Sequence, residues 1–214
     1  MRYIYPFIFI FVFSALCNAT ELPDHYTFPK NYNEGVYTES FKDNLLVAQI
    51  DNTDSRFYKS VIILLEHDEK GAIGFAINKL LGEYPLSSLV TNNKIKNSDK
   101  KKLEKITLPI FWGGPLDENK IFVLHSNDYV SKNTKVYKSL SVSNDLQILI
   151  DISESNGPKN SLIIIGISAW ADSQLEGELE RNQWSLGEFD SNLIFKDENK
   201  SKWNSAMKRV FVPL

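Results

Sequence analysis

The stretch from Ser60 to Lys79 constrains the fold most. Val61 to Leu65 is an unbroken apolar run, too short for a helix and rich in β-branched residues, and it leads into the polar group Asp68, Glu69 and Lys70. Gly71 closes that turn and Ala72 to Ile77 resume the apolar run, so the stretch is expected to form a buried β-hairpin. A strand that is apolar on both faces needs cover on both, which later segments must supply.

Leu45 to Ala48 reads as a short strand before the hairpin, and Gln49 to Arg56 as a polar loop between them. Leu86 to Val90 has room for one or two helical turns. Thr91 to Lys105, rich in Asn and Lys, reads as a solvated insertion. Ile110 to Trp112 and Ile121 to His125 are strands on either side of Gly113-Gly114-Pro115, and they are expected to pair as a hairpin or through a longer turn. Ser143-Asn144-Asp145 offers a cap for a helix over Leu146 to Ile152, and Asn156-Gly157-Pro158 stops it. Ser161 to Ile167 is the second long buried strand. A helix over Asp172 to Asn182 should expose Glu176, Glu178 and Glu180, and a third is expected over Asp197 to Met207. The expectation is a single α+β domain over residues 41–214, with a largely antiparallel or mixed sheet, open or barrel-like, flanked by about three helices.

The N-terminus belongs to another category. Met1-Arg2-Tyr3, the apolar run Ile4 to Leu16 and the small residue Ala19 have the layout of a secretory signal peptide over residues 1–19. The run is shorter than the roughly 20 residues a spanning helix needs, which leaves an uncleaved anchor and a lipidated Cys17 as the alternatives. Cleavage predicts an exported chain, periplasmic in a bacterium, that begins with an extended arm over residues 20–40. Cys17 is the single cysteine of the 214 residues, so the mature chain would hold no disulfide, thiol nucleophile or thiolate metal site. A net charge of -3 gives no basic footprint, and nucleic acid is not expected as a partner.

Several short motifs follow one another in order along the chain. They are Leu45 to Ala48, Phe57 ahead of Ser60-Val61, Glu66-His67, Gly71-Ala72-Ile73-Gly74, Asn78-Lys79, Gly113-Gly114-Pro115 and Leu124-His125. Gly166 with Trp170, Gln174-Leu175-Glu176 with Glu178, Asn182 with Trp184, Leu193-Ile194-Phe195, and Trp203 with Ala206 follow. Their order and spacing resemble the YqgE/AlgH family over nearly the whole mature chain. The resemblance implies a family whose biochemical activity is unsettled, whose members look mostly cytosolic, and some of which are described as transcriptional regulators; for an acidic chain with an export signal that last description is not carried over. Leu80, Ile50, Ile167, Ala169 and Ser173 depart from the family pattern, the last two standing where glycines are usual.

No complete catalytic constellation is visible. Gly166-Ile167-Ser168 resembles part of a nucleophile elbow, but Trp170 takes the position of its final glycine. Two readings follow: a non-enzymatic ligand-binding or interaction protein, or a hydrolase using Ser168 or a site at His67 and His125. No metal or cofactor is implied, and the partner is an unknown small polar or anionic ligand or a protein. Asn78, His125, Trp170, Gln174 and Glu178 are the candidate ligand-binding residues. The first four are expected to meet at one sheet rim if the strand ends lie level.

Overall fold

The computed structural model describes residues 39–89 and 103–211. The leader, the arm up to residue 38 and the insertion up to residue 102 lie outside the described residues. The strands are β1 (Leu45–Ala48), β2 (Val61–Asp68), β3 (Gly71–Ala76), β4 (Leu80–Pro85), β5 (Thr107–Trp112), β6 (Leu116–His125), β7 (Thr134–Val136), β8 (Ser141–Ser143), β9 (Ser161–Ala171), β10 (Trp184–Gly187) and β11 (Val210–Phe211). The described helices are α1 (Leu86–Leu89), α2 (Leu146–Ser153), α3 (Gln174–Glu180), α4 (Ser191–Phe195) and α5 (Asn199–Met207). A 3-10 turn spans Ser55–Phe57.

The strands form one mixed, mostly antiparallel sheet in the order β11-β10-β1-β2-β3-β9-β6-β8-β7, with β4 and β5 branching from β9. The path ends on two short strands that do not meet, so the sheet is open and not a barrel. The expected hairpin is present as β2 and β3, and Val61 to Leu65 are all buried. Leu162, Ile163 and Ile164 of β9 are buried as well. Asp145 caps α2 as its sequence suggests, accepting from the backbone N–H groups of Gln147 and Ile148.

One pairing differs from the expectation. β5 and β6 do not form a hairpin; they flank β9 on opposite edges, β5 parallel and β6 antiparallel to it. Gly113-Gly114-Pro115 is therefore no tight turn but carries the chain across β9 at Gly166. The crossing brings backbone against backbone, and it needs glycine on both strands. A Cβ on Gly114 would overlap the backbone of Ile167 and Ser168, and one on Gly166 would overlap the Gly114 carbonyl. Gly166 also sits at φ +79°, in the left-handed region that glycine tolerates best.

That crossing reverses which residues of β9 face which way. Before it, Leu162 and Ile164 face one core while Ile163 faces another, under α2. After it, Ile167 returns to the first core, and Trp170 joins a third with Leu46, Ile62, Leu64, Ala72, Leu175 and Trp184. The pleat sends alternate residues to opposite faces, so the irregularity at Gly166 is what aims Ser168 and Trp170 at α3. A second register shift between Leu64 and Glu66 does the same for β2 and turns His67 inward, beneath α3. The first core is closed by α4 and α5 through Leu193, Ile194 and Ala206.

Candidate functional site

Where β9 runs into α3, the chain turns at Ser173, which adopts φ +57°. Its hydroxyl donates to Asp172 at 2.8 Å, and the Gln174 side-chain carbonyl accepts from the Ala171 N–H at 3.0 Å. Gln174 and Glu178 are one helical turn apart and share a face, so the Gln174 amide donates to Glu178 Oε1 at 2.8 Å. Glu178 Oε2 accepts from two indoles, Trp170 Nε1 and Trp184 Nε1, each at 2.8 Å. One carboxylate thus ties β9, α3 and β10 together. The two indoles meet edge to face at 5.9 Å between centroids, and Phe57 packs against Trp184 at 5.4 Å.

The loop before β2 forms the opposite wall. Asn52 Oδ1 accepts from the Asp54 N–H at 3.0 Å, and Asp54 caps the 3-10 turn by accepting from the Arg56 N–H. Gln183 holds this loop in place, its side-chain oxygen accepting from the Thr53 N–H at 2.6 Å and the Thr53 hydroxyl at 2.8 Å. Arg56 grips Asp54 through Nε and Nη2, with Nη2 2.6 Å from Oδ2. The guanidinium holds the Asp54 carboxyl below the usual carboxylate range, and Asp54 in turn raises Arg56. Between the walls lies a cleft of about 910 Å³, lined also by Leu116, Ala169 and Arg181.

Trp170, Gln174 and Glu178 therefore come together, and Asn78 and His125 do not join them. Asn78 accepts from the Val61 N–H at 2.9 Å and donates to the Lys59 carbonyl at 2.8 Å, tying the chain after β3 to the start of β2. His125 pairs with Ser161 at the start of β9, whereas Trp170 lies near its end. Nine residues of strand separate those rows by about 30 Å. His125 is fully buried; its Nδ1 donates to the Ser126 carbonyl at 2.8 Å, and its Nε2 faces the Ser143 hydroxyl at 2.9 Å. Desolvation holds the imidazole below its ordinary pKa. The expected rim fails because the strand ends are not level: β6 and β3 meet β9 at its two ends.

Glu176 was expected at the surface and is buried instead, as is His67, one of the two candidate histidines. The imidazole Nδ1 accepts from the Phe41 N–H at 2.8 Å, so Nε2 carries the proton and donates to Glu176 Oε1 at 2.9 Å. The ring stacks on Phe41, with 5.0 Å between centroids. Ser168 lies within β9, not at a strand-to-helix junction; it is buried and its hydroxyl donates to the Gly113 carbonyl at 2.9 Å. His67 aligns through Ala72 with Trp170, so the two histidines stand at opposite ends of β9. Among the described residues no three His, Cys, Asp or Glu side chains are grouped so as to hold a metal ion. No described helix is long and apolar enough to cross a membrane.

The sequence reading missed Asn52, Thr53, Arg56 and Gln183, which form the second wall of the cleft. Their polar, turn-forming composition marks a loop but not what the loop faces. Trp184 was visible as an aromatic two residues after Asn182, and its role follows only from the approach of α3.

The profile of the AlgH-like family, DUF179, matches residues 45–214. A UPF0301 protein from Rickettsia massiliae is 42% identical over 160 residues, which is 74% of this chain and 82% of that protein. A UPF0301 protein from Rickettsia typhi is 41% identical over the same shares of the two chains. The solution structure of the AlgH protein from Pseudomonas aeruginosa superposes with a TM-score of 0.66 at 26% identity, covering 86% of this chain and 91% of that one. A crystal structure from Corynebacterium diphtheriae shares the fold, with a TM-score of 0.59 at 18% identity and coverage of 82% and 90%. The chain belongs to the AlgH-like, UPF0301 family.

Proposed function

We propose that this chain is a non-enzymatic binding protein whose cleft between α3 and the Asn52–Phe57 loop takes a small polar ligand. The observation that carries the reading is the Glu178 carboxylate, which locks Trp170, Trp184 and Gln174 into one preformed wall. A wall already satisfied internally needs no rearrangement to receive a ligand, which lowers the ordering cost of binding. The hydrolase alternative lacks such support. The Ser168 hydroxyl is committed to the Gly113 carbonyl, and His67 and His125 are engaged away from the cleft.

The test is a ligand screen read by tryptophan fluorescence and thermal shift, with neutral, cationic and anionic small molecules represented. Binding that is lost in Trp184→Ala, with no turnover of generic ester or phosphate substrates, is the expected result. Turnover abolished by Ser168→Ala would overturn the binding-only reading. Export belongs to the same proposal and rests on the leader over residues 1–19. The intact mass of protein recovered from cells should begin at Thr20, and a soluble cytosolic form retaining Met1 to Ala19 would refute it.

A further inference from the structure

The hydrogen-bond inventory of the cleft is lopsided. Most of its amide and carboxylate acceptor capacity is used: Gln183 Oε1 accepts twice from Thr53, Asp54 accepts from three Arg56 N–H groups and Glu178 from three more, while Gln174 Oε1 and Asn52 Oδ1 accept one bond each, from Ala171 N–H and Asp54 N–H, and keep one lone pair. The donors are not used up. Each side-chain amide carries two N–H groups. Gln174 spends one on Glu178, and Asn52 spends one on the Gln183 carbonyl at 3.0 Å. Gln183 makes one long contact, 3.5 Å, to the Arg181 carbonyl. The Arg56 clamp on Asp54 uses Nε and Nη2 and leaves Nη1.

We infer that the cleft binds an oxyanion, a carboxylate or phosphate group on a small molecule, through the N–H donors of Asn52, Arg56, Gln174 and Gln183. This rests on the proposed binding role and names its ligand class. An oxyanion brings only acceptors and matches that inventory. A polyol or an ammonium ion brings donors, for which the cleft leaves fewer open acceptors than it leaves open N–H groups for an anion, and a donor left unsatisfied on desolvation costs affinity. The cleft's acids do not oppose an anion strongly, since Asp54 is neutralised by Arg56 and Glu178 is surrounded by N–H groups. Arg181 adds a second guanidinium to the lining. Glu118, which also faces Arg56, is engaged by Trp112 Nε1 at 3.3 Å and lies outside the lining.

The test uses the full chain and four probes: inorganic phosphate, acetate, methyl glucoside and tetramethylammonium. Binding is read at low ionic strength from the indole N–H resonances of Trp170 and Trp184 and the Arg56 side-chain signals. Phosphate or acetate should shift these signals, and whichever binds tighter identifies the group. Asp54→Asn keeps an oxygen to cap the Arg56 N–H but frees the guanidinium, and should tighten anion binding about three- to tenfold. Arg56→Gln should weaken it about tenfold, as expected for one charge-assisted hydrogen bond. Shifts caused by methyl glucoside or tetramethylammonium but not by the anions would overturn this inference and leave the binding role standing. No shift from any probe would count against both. Anion binding that neither variant changes would place the anion elsewhere and overturn the assignment.

Discussion

Glu178→Gln is the most informative single change, because it alters one charge and almost no volume. The carboxylate accepts two indole N–H groups on Oε2 and the Gln174 amide on Oε1. A glutamine offers one carbonyl and one NH₂ in the same place. In its best orientation the carbonyl stays beneath the indoles and the NH₂ faces the Gln174 amide, which must then flip. Flipping takes Gln174 Oε1 away from the Ala171 N–H and loses a bond of about 1 kcal/mol. The two indole bonds fall from charge-assisted to neutral, at about 0.5–1 kcal/mol each. The expected loss of stability is therefore about 2–3 kcal/mol, read from urea denaturation, with a red shift in tryptophan emission. In a double-mutant cycle with Trp184→Phe, the coupling should reach about 1 kcal/mol, since the second change removes one of the affected donors. A Glu178→Gln protein within about 0.5 kcal/mol of the parent, or a cycle that is simply additive, would refute the claim that this carboxylate organises the cleft.

Gly166→Ala should destabilise by more than about 2 kcal/mol or prevent folding, because it adds left-handed strain to a clash with the Gly114 carbonyl; soluble yield and the denaturation midpoint report it. Ile63→Ala, in the fully buried centre of β2, should cost about 2–5 kcal/mol by leaving a cavity, and an unchanged midpoint would contradict its placement. The buried Lys202 donates to the Ile77 and Ile194 carbonyls and is pushed down to about 8 by desolvation. Its unfolded value is higher, so the unfolded chain binds more protons between about pH 8 and 10.5, and this group makes stability rise with pH across that window. Lys202→Met should remove that rise, which urea midpoints at a series of pH values would show. His125 is likewise held below its ordinary value, so the stability tied to its neutral form is present above about pH 6.5 and lost as pH falls through the folded value. His125→Asn should flatten the acid limb of the same curve.

The residues with local signals were legible. Val61 to Leu65 and Leu162 to Ile164 could be buried strands from their unbroken apolar character alone, and Asp68-Glu69-Lys70-Gly71 could close a hairpin from composition and glycine. Asp145 announced its helix because capping depends on residues two and three positions away. Gln174 and Glu178 stand one helical turn apart, a local relation contained in the expected helix over Asp172 to Asn182, although Glu178 was expected to be exposed and not bonded to the indoles.

What only the tertiary structure decided is which distant residues those elements meet. Gly113-Gly114-Pro115 has the composition of a turn, and nothing within it records that it crosses β9 at Gly166 and places β5 and β6 on opposite edges. His67 and Glu176 have the polarity of surface residues, but a register shift in β2 and the docking of α3 bury them as a pair. His125 and Trp170 both lie at strand ends near polar positions, yet β9 is long enough to hold them apart. Periodicity and caps act over a few residues and are written in the chain. Register, bulges and backbone crossings set the alignment of strands far apart in sequence, and those emerge only when the strands pack.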